Sequence, residues 1–175
     1  MSYGLLYSKK NDDNKAMIGF SDADWASDAN DCKSTSGYLF MVSGAPVSWK
    51  SKKRTCVVLS TAEAEYIALA AAIQEVTWLR QLLTDLHNEQ TEPTVIHEDN
   101  QAAICIAQNT QYHSKTKHID IKYHFVREKV LDNTIELSYC PTNDMLADMM
   151  TKGLTRDKFT LLRDLTGMKE MSACD

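Results

Sequence analysis

Apolar and polar positions alternate over residues 16–24, which places Ile18, Phe20, Asp22 and Asp24 on one face of a strand and Gly19, Ser21 and Ala23 on the other. Residues 37–42 read as a second strand, 43–46 as a turn and 47–50 as a third strand, joined by the short connections of an antiparallel meander. Ser60-Thr61-Ala62-Glu63 has the spacing of a capping box. Leu69, Ile73, Val76, Leu79, Leu83 and Leu86 recur at three- and four-residue intervals, predicting a helix to about Leu86 with that stripe against a sheet. Pro93 closes this connection, and a short strand at 94–98 leads through Asp99-Asn100 into a helix at 101–108, the order of a parallel strand–helix unit. Residues 109–117 are polar and loop-like, and 119–131 fit a further helix. Asp132-Asn133 makes a turn into a strand at 134–139, which Pro141 stops. Asn143 caps a helix running through Thr151, Gly153 supports its end, and 157–166 form a last helix before a polar tail. The order is βββαβααβα plus a C-terminal helix, an α/β pattern in one domain spanning 1–175, with a core at about 16–152 and residues 153–175 as a helical appendix and tail.

Of the 175 residues, 43% are hydrophobic and 25% charged, enough apolar surface for one sizeable core. No apolar run approaches the roughly 20 residues that span a bilayer, and the first ten residues lack the apolar stretch of a secretion signal, so a reducing interior and no membrane partner are expected. The five cysteines, Cys32, Cys56, Cys105, Cys140 and Cys174, are scattered without a C-x-x-C pair and read as free thiols. His113, His118 and His124 lie close together, but the paired ligands of a zinc site are incomplete. A net charge of −5 runs against phosphate binding, which depends on lysine and arginine. Placement changes that picture: Lys50, Lys52, Lys53 and Arg54 cluster beside Trp49, a pattern that suits a nucleic-acid backbone and equally a solvated strand end.

Four acids sit at element ends: Asp22, Glu65, Asp99 and Asp148. Carboxylates at the ends of neighbouring parallel strands converge in the crevice outside a sheet, and several together are tolerable when cations neutralise them. Oxygen ligands suit Mg2+ or Mn2+, and two such ions roughly 3.5–4 Å apart can promote phosphodiester hydrolysis. Glu65 lies one turn before Leu69 on the core-facing stripe, and Glu63, about 160° away around the helix, is better placed as the cap. Alternation does not separate Asp22 from Asp24, Asp99 reads equally as a ligand or a helix cap, and Asp144 shares a helical face with Asp148.

Gly19-Phe20-Ser21-Asp22-Ala23-Asp24-Trp25-Ala26, Lys33-Ser34-Thr35-Ser36-Gly37-Tyr38, Ser48-Trp49-Lys50-Ser51-Lys52-Lys53, Ser60-Thr61-Ala62-Glu63-Ala64-Glu65-Tyr66, Glu98-Asp99-Asn100-Gln101, Lys117-His118-Ile119-Asp120-Ile121 and Ala147-Asp148-Met149-Met150-Thr151-Lys152 together resemble the ribonuclease H domain of copia-type (Pseudoviridae-like) retrotransposon polyproteins. The resemblance extends from about Tyr3 to Thr166. It implies a ribonuclease H-like fold with a mixed five-stranded sheet flanked by helices. It also implies catalytic, metal-binding carboxylates at Asp22, Glu65, Asp99 and Asp148, two Mg2+ ions with Mn2+ as a substitute, and cleavage of the RNA strand of RNA–DNA hybrids to 5′-phosphate and 3′-hydroxyl ends. The implied partners are the hybrid and the reverse transcriptase polymerase domain of the same polyprotein, and the implied location is the cytoplasm, within virus-like particles. Expected hybrid contacts are the backbone at Ser21 and Ala23, together with Asn100, Gln101, Trp49, Lys50, Lys52 and Lys53. Many cellular ribonucleases H carry a histidine in a loop before the last catalytic helix; Cys140-Pro141-Thr142-Asn143 is too short to hold one, and that role does not transfer to His118. A non-catalytic hybrid-binding or scaffold domain is the competing expectation, supported by the acidic net charge and the absent loop histidine.

Overall fold

The computed structural model describes residues 2–7, 16–25, 33–55, 58, 60–109 and 117–171, with Ser2 and residues 117–120 described by their backbone alone. Residues 110–116 of the expected loop, Cys32, Cys56, His113, Cys174 and the His118 side chain lie outside this description.

The alternating segments form β2 (Ile18–Asp24), β3 (Thr35–Val42) and β4 (Ala45–Lys53), with β5 (Thr94–Glu98) and β6 (Ile135–Tyr139) completing a five-stranded sheet in the order β4-β3-β2-β5-β6. A short separate strand, β1 (Ser2–Leu5), precedes them. The β2–β3 and β3–β4 pairs are antiparallel and β2–β5 and β5–β6 parallel, so the sheet is mixed. The turn between β3 and β4 is tighter than its composition suggests. Ser43 (φ 54°) and Gly44 (φ 78°) both take the left-handed region favoured in two-residue hairpins, while Ala45 and Pro46 join β4. A register shift between Phe40 and Met41 accommodates the proline.

Strand alternation sends two sets of side chains to opposite faces. Tyr38, Phe40, Ile96 and Ile135 pack with Tyr66, Leu69, Ile73 and Val76 of α1 (Thr61–Asp85) and with residues of α2 (Gln101–Gln108) and α3 (Lys117–Leu131). Ser60 caps α1 by accepting a 3.2 Å hydrogen bond from the Glu63 amide. The apolar stripe of α1 is buried through Leu79, and by Leu86 it has emerged into solvent. Phe20, Leu39 and Met41, on the other face, pack with Met145, Leu146, Ala147 and Leu162.

Two expectations change here. In place of one helix over 143–151 there is a 3-10 turn at Thr142–Asp144, a break, and a short α4 (Asp148–Thr151). Met145, Leu146 and Ala147, the residues at the break, are all buried and pack with Phe20, Leu39 and Met41. Nor is the C-terminal helix an appendix. Leu162 of α5 (Arg156–Leu165) is fully buried against the sheet, and beyond it β7 (Met168–Met171) pairs antiparallel with β1. Tyr7 ties this small sheet to the main one by donating to the Pro46 carbonyl at 2.6 Å. Among the described residues, no helix is long and apolar enough to cross a membrane.

Candidate active site

β2 runs on from Ser21 to Asp24 beyond its last parallel pair, Phe20 with His97, and β5 ends at Glu98. The crevice left there collects the acids. Asp22 is fully buried on β2, Glu65 is 6% exposed at the start of the second turn of α1, and Asp99 is half-buried just past β5. One carboxylate oxygen from each lies within 4.8 Å of the others, so residues 77 positions apart along the chain share one pocket. Asp24, two residues along the strand, is outside this group. Asn100 settles the other role considered for Asp99, because its side chain caps α2 by accepting from the Ala103 amide at 3.1 Å. Asp99 instead accepts a 2.8 Å hydrogen bond from the Thr142 hydroxyl, which aims its carboxylate.

Asp148 opens α4 fully buried, whereas Asp144 lies exposed on the preceding 3-10 turn, so the two no longer share a helical face. α4 sits directly on β3 at Gly37, where an added Cβ would lie 2.6 Å from Met150 Cβ and 2.8 Å from Thr151 Cγ2. Because Gly37 pairs with Asp22, this contact brings the helix to the acid. The Thr151 hydroxyl donates to Asp22 Oδ2. Lys152 Nζ bridges the two acids, 3.0 Å from Asp22 Oδ1 and 2.7 Å from Asp148 Oδ1, and Lys158 Nζ reaches Asp148 Oδ2 at 2.5 Å. The four expected acids therefore fall into three whose oxygens meet and a fourth joined to Asp22 through a lysine.

Burial raises the Asp22 pKa against the opposing pull of Thr151 and Lys152. Burial, then the charges of Glu98, Asp22 and Asp99, raises Glu65 further. Glu98 is fully buried and held well above the carboxylate range by desolvation; its Oε1 accepts from the Asn100 amide at 3.3 Å. Burial opposes the Lys152 charge, yet hydrogen bonds and attraction to Asp148 and Asp22 raise its pKa. Glu65 Oε2 is buried with no hydrogen-bond partner among the described residues. An all-carboxylate donor set with an orphaned oxygen on one of its members fits a hard divalent cation such as Mg2+ or Mn2+, which favours oxygen ligands.

Glu98, Thr151, Lys152 and Lys158 complete the site without having been singled out in the sequence. Glu98 shares strand parity with the buried Thr94 and Ile96, a signal available from alternation. Lys152 stands four residues after Asp148, the spacing of a helical ion pair. Lys158 comes from another helix and left no sequence signal.

The expected hybrid contacts separate. Ser21 and Ala23 have buried side chains, and both residues pair with β3. Asn100 Oδ1 is engaged in its helix cap, and Gln101 is exposed beside it. The pleat divides the basic cluster: Lys50 and Lys52 line a groove with Ser36, Arg54 and Gln74 on the α1 side. Trp49, 56% exposed, lies on the opposite face with Leu39, Met149 and Phe159, and Lys53 has its parity.

This sheet order with helices on both faces is the fold of ribonuclease H. The ribonuclease H1 of the halophilic archaeon Halobacterium salinarum superposes with a TM-score of 0.53 at 16% identity, over 78% of this chain and 94% of that one. LC11-RNase H1, crystallised in complex with an RNA/DNA hybrid, gives 0.56 at 14% identity over 77% and 93%. In sequence, the chain is 46% identical over 152 residues, 87% of its length, to the retrovirus-related Pol polyprotein from transposon TNT 1-94 of Nicotiana tabacum. It belongs with the ribonuclease H domains of copia-type retrotransposon polyproteins. The chain spans about 11% of the length of the curated relatives it matches. No family model matches it.

Proposed function

We propose that this domain is an endoribonuclease that hydrolyses the RNA strand of RNA–DNA hybrids, using two divalent cations and leaving 5′-phosphate and 3′-hydroxyl ends. The observation that carries this reading is the meeting of Asp22, Glu65 and Asp99 oxygens within 4.8 Å, one of these residues, Glu65, having a buried oxygen without a partner among the described residues. Asp22, Glu65 and Asp99 are the residues that would hold one cation, and Asp22 and Asp148 those that would hold a second. Bound there, divalent cations activate water and neutralise charge on the phosphate in the transition state. Asp148, whose oxygens are held by Lys152 and Lys158, would help to position the attacking water. Thr142 keeps the Asp99 carboxylate aimed at the crevice, and the Gly37 contact sets the separation of Asp148 from Asp22. Preorganised acids of this kind need no rearrangement as the reaction proceeds.

The surface around the site and the family support this choice of substrate. Lys50 and Lys52 on one side, and Trp49 and Lys53 on the other, supply cations and an aromatic face to a sugar–phosphate backbone despite the net charge of −5. In its parent polyprotein the domain works beside the reverse transcriptase polymerase, inside cytoplasmic virus-like particles, removing RNA from the hybrid made during reverse transcription. The expected result is cutting of a labelled RNA–DNA hybrid in Mg2+ or Mn2+, abolished by chelator. Asp99→Asn should lower the rate about a hundredfold or more. Equal cutting by both proteins would remove the site assignment. Hybrid binding with no cleavage in either metal, even when the domain is joined to a polymerase segment, would favour a scaffold role.

A further inference from the structure

Every carboxylate oxygen of Asp22 and Asp148 has a protein partner. Asp22 Oδ1 and Asp148 Oδ1 share Lys152 Nζ, Asp22 Oδ2 takes the Thr151 hydroxyl, and Asp148 Oδ2 takes Lys158 Nζ. Glu65 Oε2 has none among the described residues. The two halves of the acid cluster therefore differ in what a cation meets: Lys152 reaches the first only through the shared Asp22, whereas both oxygens of Asp148 are held by ammonium groups.

Resting on the two-cation reading above, we propose that the Lys152 ammonium holds the position between Asp22 and Asp148 until a second divalent cation displaces it, so that the cations bind in order and with unequal affinity. The first enters among Asp22, Glu65 and Asp99, where, among the described residues, no ammonium contacts Glu65 or Asp99 and Lys152 is met on Asp22 alone. The second must break the 3.0 Å and 2.7 Å contacts of Lys152 and face the charge of the released lysine nearby. The Lys152 side chain is 29% exposed while both acids are fully buried, so its four-carbon stem gives the ammonium a route to water that the carboxylates lack. A purely architectural ion pair would hold α4 on β2 and leave cation binding unaltered, and this difference is measurable.

Titration of the chain with Mn2+, with free ion followed by its electron paramagnetic resonance signal, separates the two. The wild type should take up one ion and then a second at least about tenfold more weakly, and Lys152→Met should tighten the second step about tenfold while moving the first much less. Circular dichroism verifies that the variant is folded. Should it fail to fold, amine acetylation of wild-type Lys152, read by mass spectrometry, gives the same information: its rate should rise as the second ion binds and stay low at the first. An unchanged second step in folded Lys152→Met, or a Lys152 acetylation rate flat through both steps, overturns the proposal while leaving the two-cation reading intact. No uptake of Mn2+ at millimolar concentration, with or without hybrid, overturns both.

Discussion

Glu65→Gln is expected to lose hybrid cleavage by about a thousandfold or more and, in the same preparation, to melt at a higher temperature than the wild type in chelator at neutral pH. Both effects have one cause. Burial and the neighbouring charges of Glu98, Asp22 and Asp99 raise the Glu65 pKa in the folded chain above its unfolded value. The folded state then retains a proton that the unfolded state releases, so stability is fully present below the unfolded pKa and falls as pH rises towards the folded pKa. The loss is about 1.4 kcal/mol per pH unit across that window. Glutamine cannot ionise and removes this pH-dependent penalty; at roughly 2–4 °C per kcal/mol for a domain of this size, the melting temperature should rise by several degrees. Divalent cations should stabilise the wild type in the same way, more strongly at pH 8 than at pH 6 because binding requires the deprotonated carboxylates. Melting curves with and without Mg2+ at the two pH values check this. A variant no more stable than wild type in chelator, with an unchanged response to Mg2+, would show that Glu65 bears no such strain.

Gly37→Ala should be almost as damaging to cleavage although residue 37 carries no reactive group. The new Cβ would fall 2.6 Å from Met150 Cβ and 2.8 Å from Thr151 Cγ2, atoms close to the α4 backbone that cannot rotate aside. The helix must move away from β3, carrying Asp148, Thr151 and Lys152 from Asp22. Overpacking of this kind costs about 1–3 kcal/mol, and a displacement of about 1 Å at a catalytic group costs about a hundredfold in rate. Gly153 is the internal control: among the described residues nothing lies within 4 Å of where its Cβ would be, and its φ is not in the left-handed region. Gly153→Ala should retain wild-type cleavage and melting. Equal behaviour of the two variants would separate the α4–β3 contact from the chemistry.

The parts of the fold readable in the sequence are those where one periodicity extends over many residues. The α1 stripe from Leu69 to Leu79 and the β2 alternation reached the structure on their expected faces. Where no period marks a boundary, the sequence misled: it predicts one helix to Thr151, whereas the chain breaks between the 3-10 turn at Thr142–Asp144 and α4. The β1–β7 pair was illegible for another reason, since each strand is four residues long and its partner lies at the opposite end of the chain. At the site, helical geometry alone placed Glu65 and rejected Glu63. Asp22 and Asp24 share a strand face, and only the crevice beyond Phe20 separates them. The lysines show the limit most clearly, because which ammonium meets which carboxylate is set by the packing of α4 and α5 on the sheet.

Crystals of the domain soaked in Mn2+, with the ions placed from their anomalous scattering, test the shared pocket directly. An ion roughly 2.0–2.3 Å from oxygens of Asp22, Glu65 and Asp99 together is the expected result. Carboxylates of Glu65 and Asp99 turned apart, with manganese bound elsewhere or not at all, would contradict it.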